Sequence, residues 1–340
     1  MSIFNTIIIV ITIILIVFLC VENYCRYHNK SLLETVRPEW FEDVTKFPYD
    51  SFPCKVNSDQ YNSTIEKGFQ KMKNTRIVIS GLCINIEKNI TKLIKKIEQL
   101  GSYFKDYQLV IFENDSNDNT RELLLEWSKN NKHIHLIECI EDQNCKLKTK
   151  GAIEHGIESD QRMRKMANYR NRVLRFISDH FIDYDYMISM DLDTRGPLSI
   201  KGVAHSFGLY QDWDSVSSMG LNGMTLTASI PLYYDILAYE DDDYNYEKKI
   251  LDVIGISYRA NKKVGSDLIP VLSGFAGLAI YKMDIIRKGI NYIPEDGEYV
   301  CEHKIFHNNM RKNGFSRIFI NPNMILLVGL QGPYEKHPFH

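Results

Sequence analysis

An α/β fold, with a mostly parallel sheet flanked by helices, is what this 340-residue sequence predicts. Three observations support that expectation. From Arg76 onward, apolar runs of strand length alternate with stretches whose apolar residues recur at three- and four-residue steps. Acid-rich segments follow two of the runs, Glu113-Asn114-Asp115-Ser116-Asn117-Asp118 and Asp191-Leu192-Asp193. No internal repeat or low-complexity tract interrupts the rhythm. Alternating strand and helix favours parallel neighbours joined by helical crossovers.

In chain order, Ile3 to Val21 comes first, with no charged residue and just Asn5, Thr6 and Thr12 as polar ones. As a helix this stretch reaches roughly 28 Å, the hydrocarbon thickness of a bilayer. It lacks a basic leader and a small-x-small cleavage site, so residues 1–23 read as a retained transmembrane signal-anchor rather than a cleaved signal peptide. Residues 24–75 carry Pro38, Pro48 and Pro53 and no sustained period, which reads as a stem, with Trp40 and Phe41 packing back on the body.

The body, 76–325, opens with a strand over Ile77–Cys83 and an amphipathic helix through Ile86, Ile90, Leu93, Ile94, Ile97 and Leu100. Gln108–Phe112 gives a second strand, and Thr120–Trp127 a helix that Asp118 or Thr120 caps. His133–Cys139 is a third strand, Arg162–His180 a long helix, and Tyr186–Met190 a fourth strand. Pro270–Tyr281 reads as a loop entering a buried strand, with Gly274 and Gly277 letting backbone approach a bound group. Glu240-Asp241-Asp242-Asp243 reads as a solvated loop between aromatic segments that line an acceptor cleft. A tail, 326–340, carries His337 and His340.

Composition is that of an ordinary globular chain, 44% hydrophobic and 25% charged. Its 41 Lys and Arg against 43 Asp and Glu form no basic stripe, which argues against nucleic acid as a partner. Arg26 and Lys30, just after the apolar stretch, favour a cytosolic body by the positive-inside tendency. The triplets at Asn29, Asn62 and Asn89 read as glycosylation acceptors and favour the lumen, as does the cysteine usage. Cys139 and Cys145 are close enough to close a small disulfide loop, free thiols being the other reading. A single-pass membrane protein of the secretory pathway, Golgi or ER, with its body in the lumen is the expectation.

Several motifs in order resemble one known family. Phe112 to Thr120 is similar to the Asp-Asp-x-Ser-x-Asp-x-Thr element of GT-A glycosyltransferases, family 2-like enzymes in particular. Ala167-Asn168-Tyr169-Arg170-Asn171 resembles their Ala-Arg-Asn helix, Asp191-Leu192-Asp193 their Asp-x-Asp motif, and Cys301-Glu302-His303 their acidic pair opening a helix. The Glu-Asn-Asp-Ser spelling also resembles fungal capsule-associated mannosyltransferases. The resemblance runs from about Arg76 to Pro322.

It implies transfer of a hexose, mannose among the candidates, from a nucleotide-sugar donor to a hydroxyl of a glycan or glycoprotein. Donor binding then falls to Glu113, Asn114, Asp115, Arg170 and Asp191, with Asp115 standing where the family has a small residue. Mn²⁺ or Mg²⁺ falls to Asp191 and Asp193, and catalysis to Asp193 and Glu302; on the residues' own chemistry, His303 or His307 completes the metal sphere.

The residue types suit that chemistry in their own right. A departing diphosphate needs its charge neutralised, and hard cations prefer the oxygens that a strand-end Asp-x-Asp presents on one side. Guanidinium suits phosphate through paired N–H donors, which is the case for Arg170. Glu302 can deprotonate an acceptor hydroxyl in an inverting displacement, or position substrate in a retaining one. Read without the family, the acids at 113–118 are a helix-capping turn and those at 191–193 turn aspartates before Gly196-Pro197. A nucleotidyltransferase or pyrophosphatase would need a Gly-rich basic loop after the first strand, and Ser80-Gly81-Leu82-Cys83-Ile84-Asn85 is not one. A catalytically inactive GT-A module that binds glycans or a partner is the remaining alternative.

Overall fold

The computed structural model describes residues 37–138, 160–224, 231–242, 262–295 and 300–331, together with Thr12, 244–245, 256, 259–260 and 297. The apolar stretch 3–21, apart from Thr12, lies outside them, as do Cys139, Cys145, His337 and His340. Among the described residues no helix is long and apolar enough to cross a membrane. Cys54, Cys83 and Cys301 are free thiols.

The elements are α1 (Ser58–Lys73), β1 (Arg76–Cys83), α2 (Ile90–Gly101), β2 (Asp106–Glu113), α3 (Thr120–Asn130), β3 (Ile134–Glu138), α4 (Asp160–His180), β4 (Tyr186–Met190), α5 (Ile200–Gly208) and β5 (Ser215–Met224). Then follow β6 (Pro231–Tyr233), β7 (Glu240–Asp241), β8 (Tyr244–Asn245), β9 (Ile269–Pro270), β10 (Leu278–Lys282), α6 (Met283–Arg287), α7 (Glu302–Lys312) and β11 (Ile318–Gln331). The main sheet runs β3-β2-β1-β4-β10-β5-β11-β9, with β6 on β5.

Its first half follows the sequence rhythm. β3, β2, β1 and β4 are parallel neighbours, paired through Ile134↔Leu109, Ile79↔Leu109 and Ile79↔Ile188. The middles of β1, β2 and β4 are buried on both faces, which is why they read as continuous apolar runs rather than alternating ones, while β3 at the sheet edge is half-buried beyond Ile134. The second half departs from the expected plan. β10 slots between β4 and β5 and runs against both, while β5 and β11 are parallel and the short β6 and β9 run against β5 and β11, so the sheet is mixed. A helical crossover would have returned the chain in the parallel sense. β10 is instead entered through the loop Val271–Gly277, which delivers it from the opposite end.

The stretch read as a stem does not hang free in its described part. Trp40 and Phe41 do pack on the body, at 7% and 8% exposure, and Phe47 and Phe52 complete an aromatic knot with ring centres 5.2–5.4 Å apart. Lys92 of α2 donates to Phe41 O at 2.8 Å. Residues 58–73 form the full helix α1, which lies against α5 so closely that a Cβ at Gly68 would collide with the Ala204 carbonyl. The buried face of α1 is Tyr61, Thr64, Ile65, Gly68 and Met72.

The acidic stretch at 240–243 also differs from a solvated loop. Glu240 and Asp241 pair with Tyr244 and Asn245 as a short hairpin, and Glu240 N donates to Ser273 O at 3.0 Å. Asp241 accepts from Tyr239 Oη at 2.6 Å and pairs with Arg259 at 3.1 Å.

Candidate active site

The carboxyl ends of β1, β2 and β4 open into one cavity of about 150 Å³. In an α/β sheet this is the end where ligands bind. Its wall is shared by Asn114 after β2, Asp191 and Asp193 after β4, Arg170 of α4, Tyr234 and Asp235 after β6, Phe275 before β10, and Glu302 and His303 opening α7. Gly81 allows this convergence, because a Cβ there would collide with Leu192 and the Met190 carbonyl. Loops at this end hold Asn85, Asp115, Asp235 and Ala276 in the left-handed region, with φ between 50° and 60°. That conformation is costly for residues with a Cβ and gathers where a site over-determines the backbone. Gly277, at φ 84°, continues the same bend and accepts from Asp191 N at 2.9 Å through its carbonyl.

Arg170 organises the floor. It is 6% exposed, donates from Nε to Glu302 Oε1 at 2.8 Å and from Nη1 to Ser189 Oγ at 3.2 Å, and lies 3.6 Å from Asp191 Oδ1. Burial works against its charge, yet Glu302, Tyr292 and Asp191 outweigh that and hold the guanidinium above its ordinary value. In this structure the group reserved for a diphosphate is thus committed to the acids of the site itself. Among the described residues, the one donor to Glu302 Oε2 is the Cys301 thiol at 3.9 Å.

Among the described residues the cavity is lined by four acids, Asp191, Asp193, Asp235 and Glu302, together with Arg162 and Arg170. Burial and then Asp193 push Asp191 up to about 8, while Tyr234 Oη donates to Asp191 Oδ2 at 3.3 Å. Burial and then Glu302 push Asp235 up to about 7. His303, 2% exposed, stacks on Phe275 with ring centres 3.6 Å apart, and burial holds it neutral. Neither ring nitrogen of His303 has a hydrogen-bond partner, and Nε2 lies 3.5 Å from Glu302 Oε1.

This donor set bears on a metal in two ways. Hard carboxylate oxygens carrying surplus negative charge fit Mn²⁺ or Mg²⁺, which take one or two carboxylates and complete their sphere with water and substrate phosphate. Among the described residues, however, no three His, Cys, Asp or Glu side chains come together as a metal group. Asp191, Asp193 and His303 line the same cavity, with the ring of His303 stacked on Phe275.

The structure separates Glu113 and Asp115 from the cavity wall. Glu113 is fully buried and accepts from Ser116 N at 2.6 Å and from Arg121 Nε at 2.7 Å. Asp115 takes Arg121 Nη2 at 3.3 Å. Asp118 accepts from Glu87 N at 3.2 Å and Thr120 N at 3.1 Å, and Thr120 Oγ1 accepts from Ile86 N at 2.8 Å. This segment ties β2 to the loop after β1. Asn114 alone of its neighbours reaches the cavity, 3% exposed and with no partner for Oδ1. Sequence reasoning missed Asp235. Its one visible signal is an acid directly after the aromatic pair Tyr233-Tyr234.

No family model matches the chain, and no curated protein does. Among solved structures, the chain is similar to S. aureus TarS 1-349 at 15% identity and TM-score 0.42, over 74% of this chain and 59% of that one. It is also similar to the mannosyltransferase PcManGT from Pyrobaculum calidifontis, in complex with GDP-Man and Mn²⁺, at 12% identity and TM-score 0.45, over 83% and 68%. GalNAc-T7 with UDP, GalNAc and Mn²⁺ matches at 11% identity and TM-score 0.47, over 75% and 44%. The chain thus spans about three-fifths of the TarS fragment and under half of GalNAc-T7. At these scores the likenesses are too distant to carry any chemistry across.

Proposed function

We propose that the chain is a GT-A glycosyltransferase that moves a hexose from a nucleotide-sugar donor to a hydroxyl of a glycan or glycoprotein with the help of Mn²⁺ or Mg²⁺. One observation carries the reading. Asp191, Asp193, Asp235 and Glu302 share a cavity at the carboxyl ends of parallel strands, and burial, followed by the charge of Asp193, lifts Asp191 to about 8. Such a cluster is stable as carboxylates once a divalent cation joins it.

Asp193 and Asp191 would hold that ion, which when bound neutralises charge on a departing nucleoside diphosphate. Arg170 fixes the rotamer of Glu302 through Oε1 and leaves Oε2 to take the proton of an acceptor hydroxyl. Tyr234 orients Asp191 through its hydroxyl. Asn114, rather than Glu113, presents an unfilled acceptor to the base or ribose of the donor. Glu113, Asp115 and Arg121 shape the turn that carries Asn114. The uncharged stretch 3–21 supplies the membrane anchor of this reading, with the catalytic body in the lumen.

A panel of UDP- and GDP-sugars, assayed for nucleotide release with Mn²⁺ and with EDTA, tests the proposal. Metal-dependent release from at least one donor, lost in Asp193→Ala, is the expected result. A well-folded chain that releases nucleotide from none of them, with and without simple glycan acceptors, would favour a binding module instead.

A further inference from the structure

Lys96 projects from the inward face of α2, the face otherwise made by Ile90, Leu93, Ile97 and Leu100. It is 2% exposed, although nothing in the period of that helix asks for a charge there. Burying an ammonium is unfavourable unless it is hydrogen-bonded and faces an opposite charge. Both conditions are met. Nζ donates to Thr194 O at 2.7 Å and to Thr194 Oγ1 at 2.9 Å, and Thr194 Oγ1 donates in turn to Asp191 O at 3.2 Å. Asp193 favours the charged form of Lys96, while burial pulls the group down to about 7. One side chain from a neighbouring helix thereby holds Thr194, whose hydroxyl in turn closes the turn on Asp191.

We propose that Lys96 is a positioning residue: by holding Thr194 and facing Asp193, it sets the Asp191–Asp193 turn in its ligand-binding shape before cation or nucleotide arrives. The inference rests on the functional reading of the cavity given above. Lys96 lies outside that cavity and touches no substrate, so its effect passes through the turn.

The test compares the full-length wild type with Lys96→Met and Lys96→Gln. Two quantities are measured, amide hydrogen exchange at Asp193 and Thr194 without ligand, and binding of UDP and GDP by calorimetry with Mn²⁺. Lys96→Met is expected to speed exchange at the turn and weaken nucleotide binding about 10- to 100-fold, the range for losing hydrogen bonds to a charged group. Lys96→Gln, which keeps an amide donor for Thr194 O without the charge, should fall between and also serves if Lys96→Met does not fold. Wild-type exchange rates and affinity in a folded variant would overturn the proposal. If the wild type binds neither nucleotide, the function proposed above fails, and the ligand-free exchange rates still decide the role of Lys96.

Discussion

At the end of β2, Glu113, Asp115 and Asp118 are each taken up within their own turn, by Arg121 or by backbone N–H groups. At the end of β4, two strands away, Asp191 and Asp193 share a cavity with Asp235, Glu302, Arg162 and Arg170, and there burial and the neighbouring Asp193 hold the Asp191 carboxyl far above its ordinary value. In sequence the two segments look alike, acids following an apolar strand. Their partners make the first a structural joint and the second the place where the proposed function puts its cation. An acidic motif is therefore assigned by what neutralises it, not by its spelling.

That contrast can be broken by substitution. The largest effect is expected at the β4 end, where Asp193→Ala should lower metal-dependent turnover on the order of 10²-fold or more while the melting temperature holds. A variant as active as wild type would remove Asp193 from the site. Stability should respond in opposite senses at the two ends. Glu113→Gln leaves Arg121 without its main partner and should cost about 2–3 kcal/mol in denaturant unfolding, toward the low end for a broken buried pair because Arg121 is 26% exposed. Asp191→Asn removes like-charge repulsion and should raise the melting temperature at pH 8. Equal losses in both variants would erase the distinction.

The pH profile sharpens it further. Asp191 at about 8 and Asp235 at about 7 keep protons in the folded chain that the unfolded chain releases near 4. Between about pH 4 and 8 the folded state thus binds more protons, and these two acids make stability fall as pH rises through that window. Melting curves across this range should show a shallower fall in Asp235→Asn, and an unchanged slope would place Asp235 outside the strained cluster. Smallest is Asp118→Ala, expected to cost about 1 kcal/mol by freeing the N–H groups of Glu87 and Thr120. A loss no larger than for a surface alanine would show the joint to be redundant.

What could be read from sequence follows the same divide. β1, β2 and β4 were legible because strands buried on both faces write themselves as uninterrupted apolar runs, as Ile77–Ile79 and Leu109–Phe112 do. Helix α1 was not, since its inward face uses Thr64 and Gly68 where close approach to α5 leaves no room for larger apolar groups, and this hides the helical period. The reversed direction of β10 depends on where its partners lie, and five residues of apolar strand carry no arrow. Asp191, Asp193, Arg170, Glu302 and Asn114 were singled out by pattern, and the structure gathers them on one wall. Glu113 was singled out with them, but its carboxylate is taken by Arg121, eight residues further on, a pairing fixed by side-chain direction that the motif alone does not reveal. Lys96 was not singled out by the helical period, because its partner, Thr194, lies 98 residues away.

The difference between the two acid-rich ends can be seen directly in crystals grown with Mn²⁺ and UDP or GDP, using the anomalous signal of manganese. A peak against Asp193, with the nucleotide reaching Asn114, is the predicted result. A peak against Asp115 or Asp118, or a nucleotide seated away from this cavity, would contradict it.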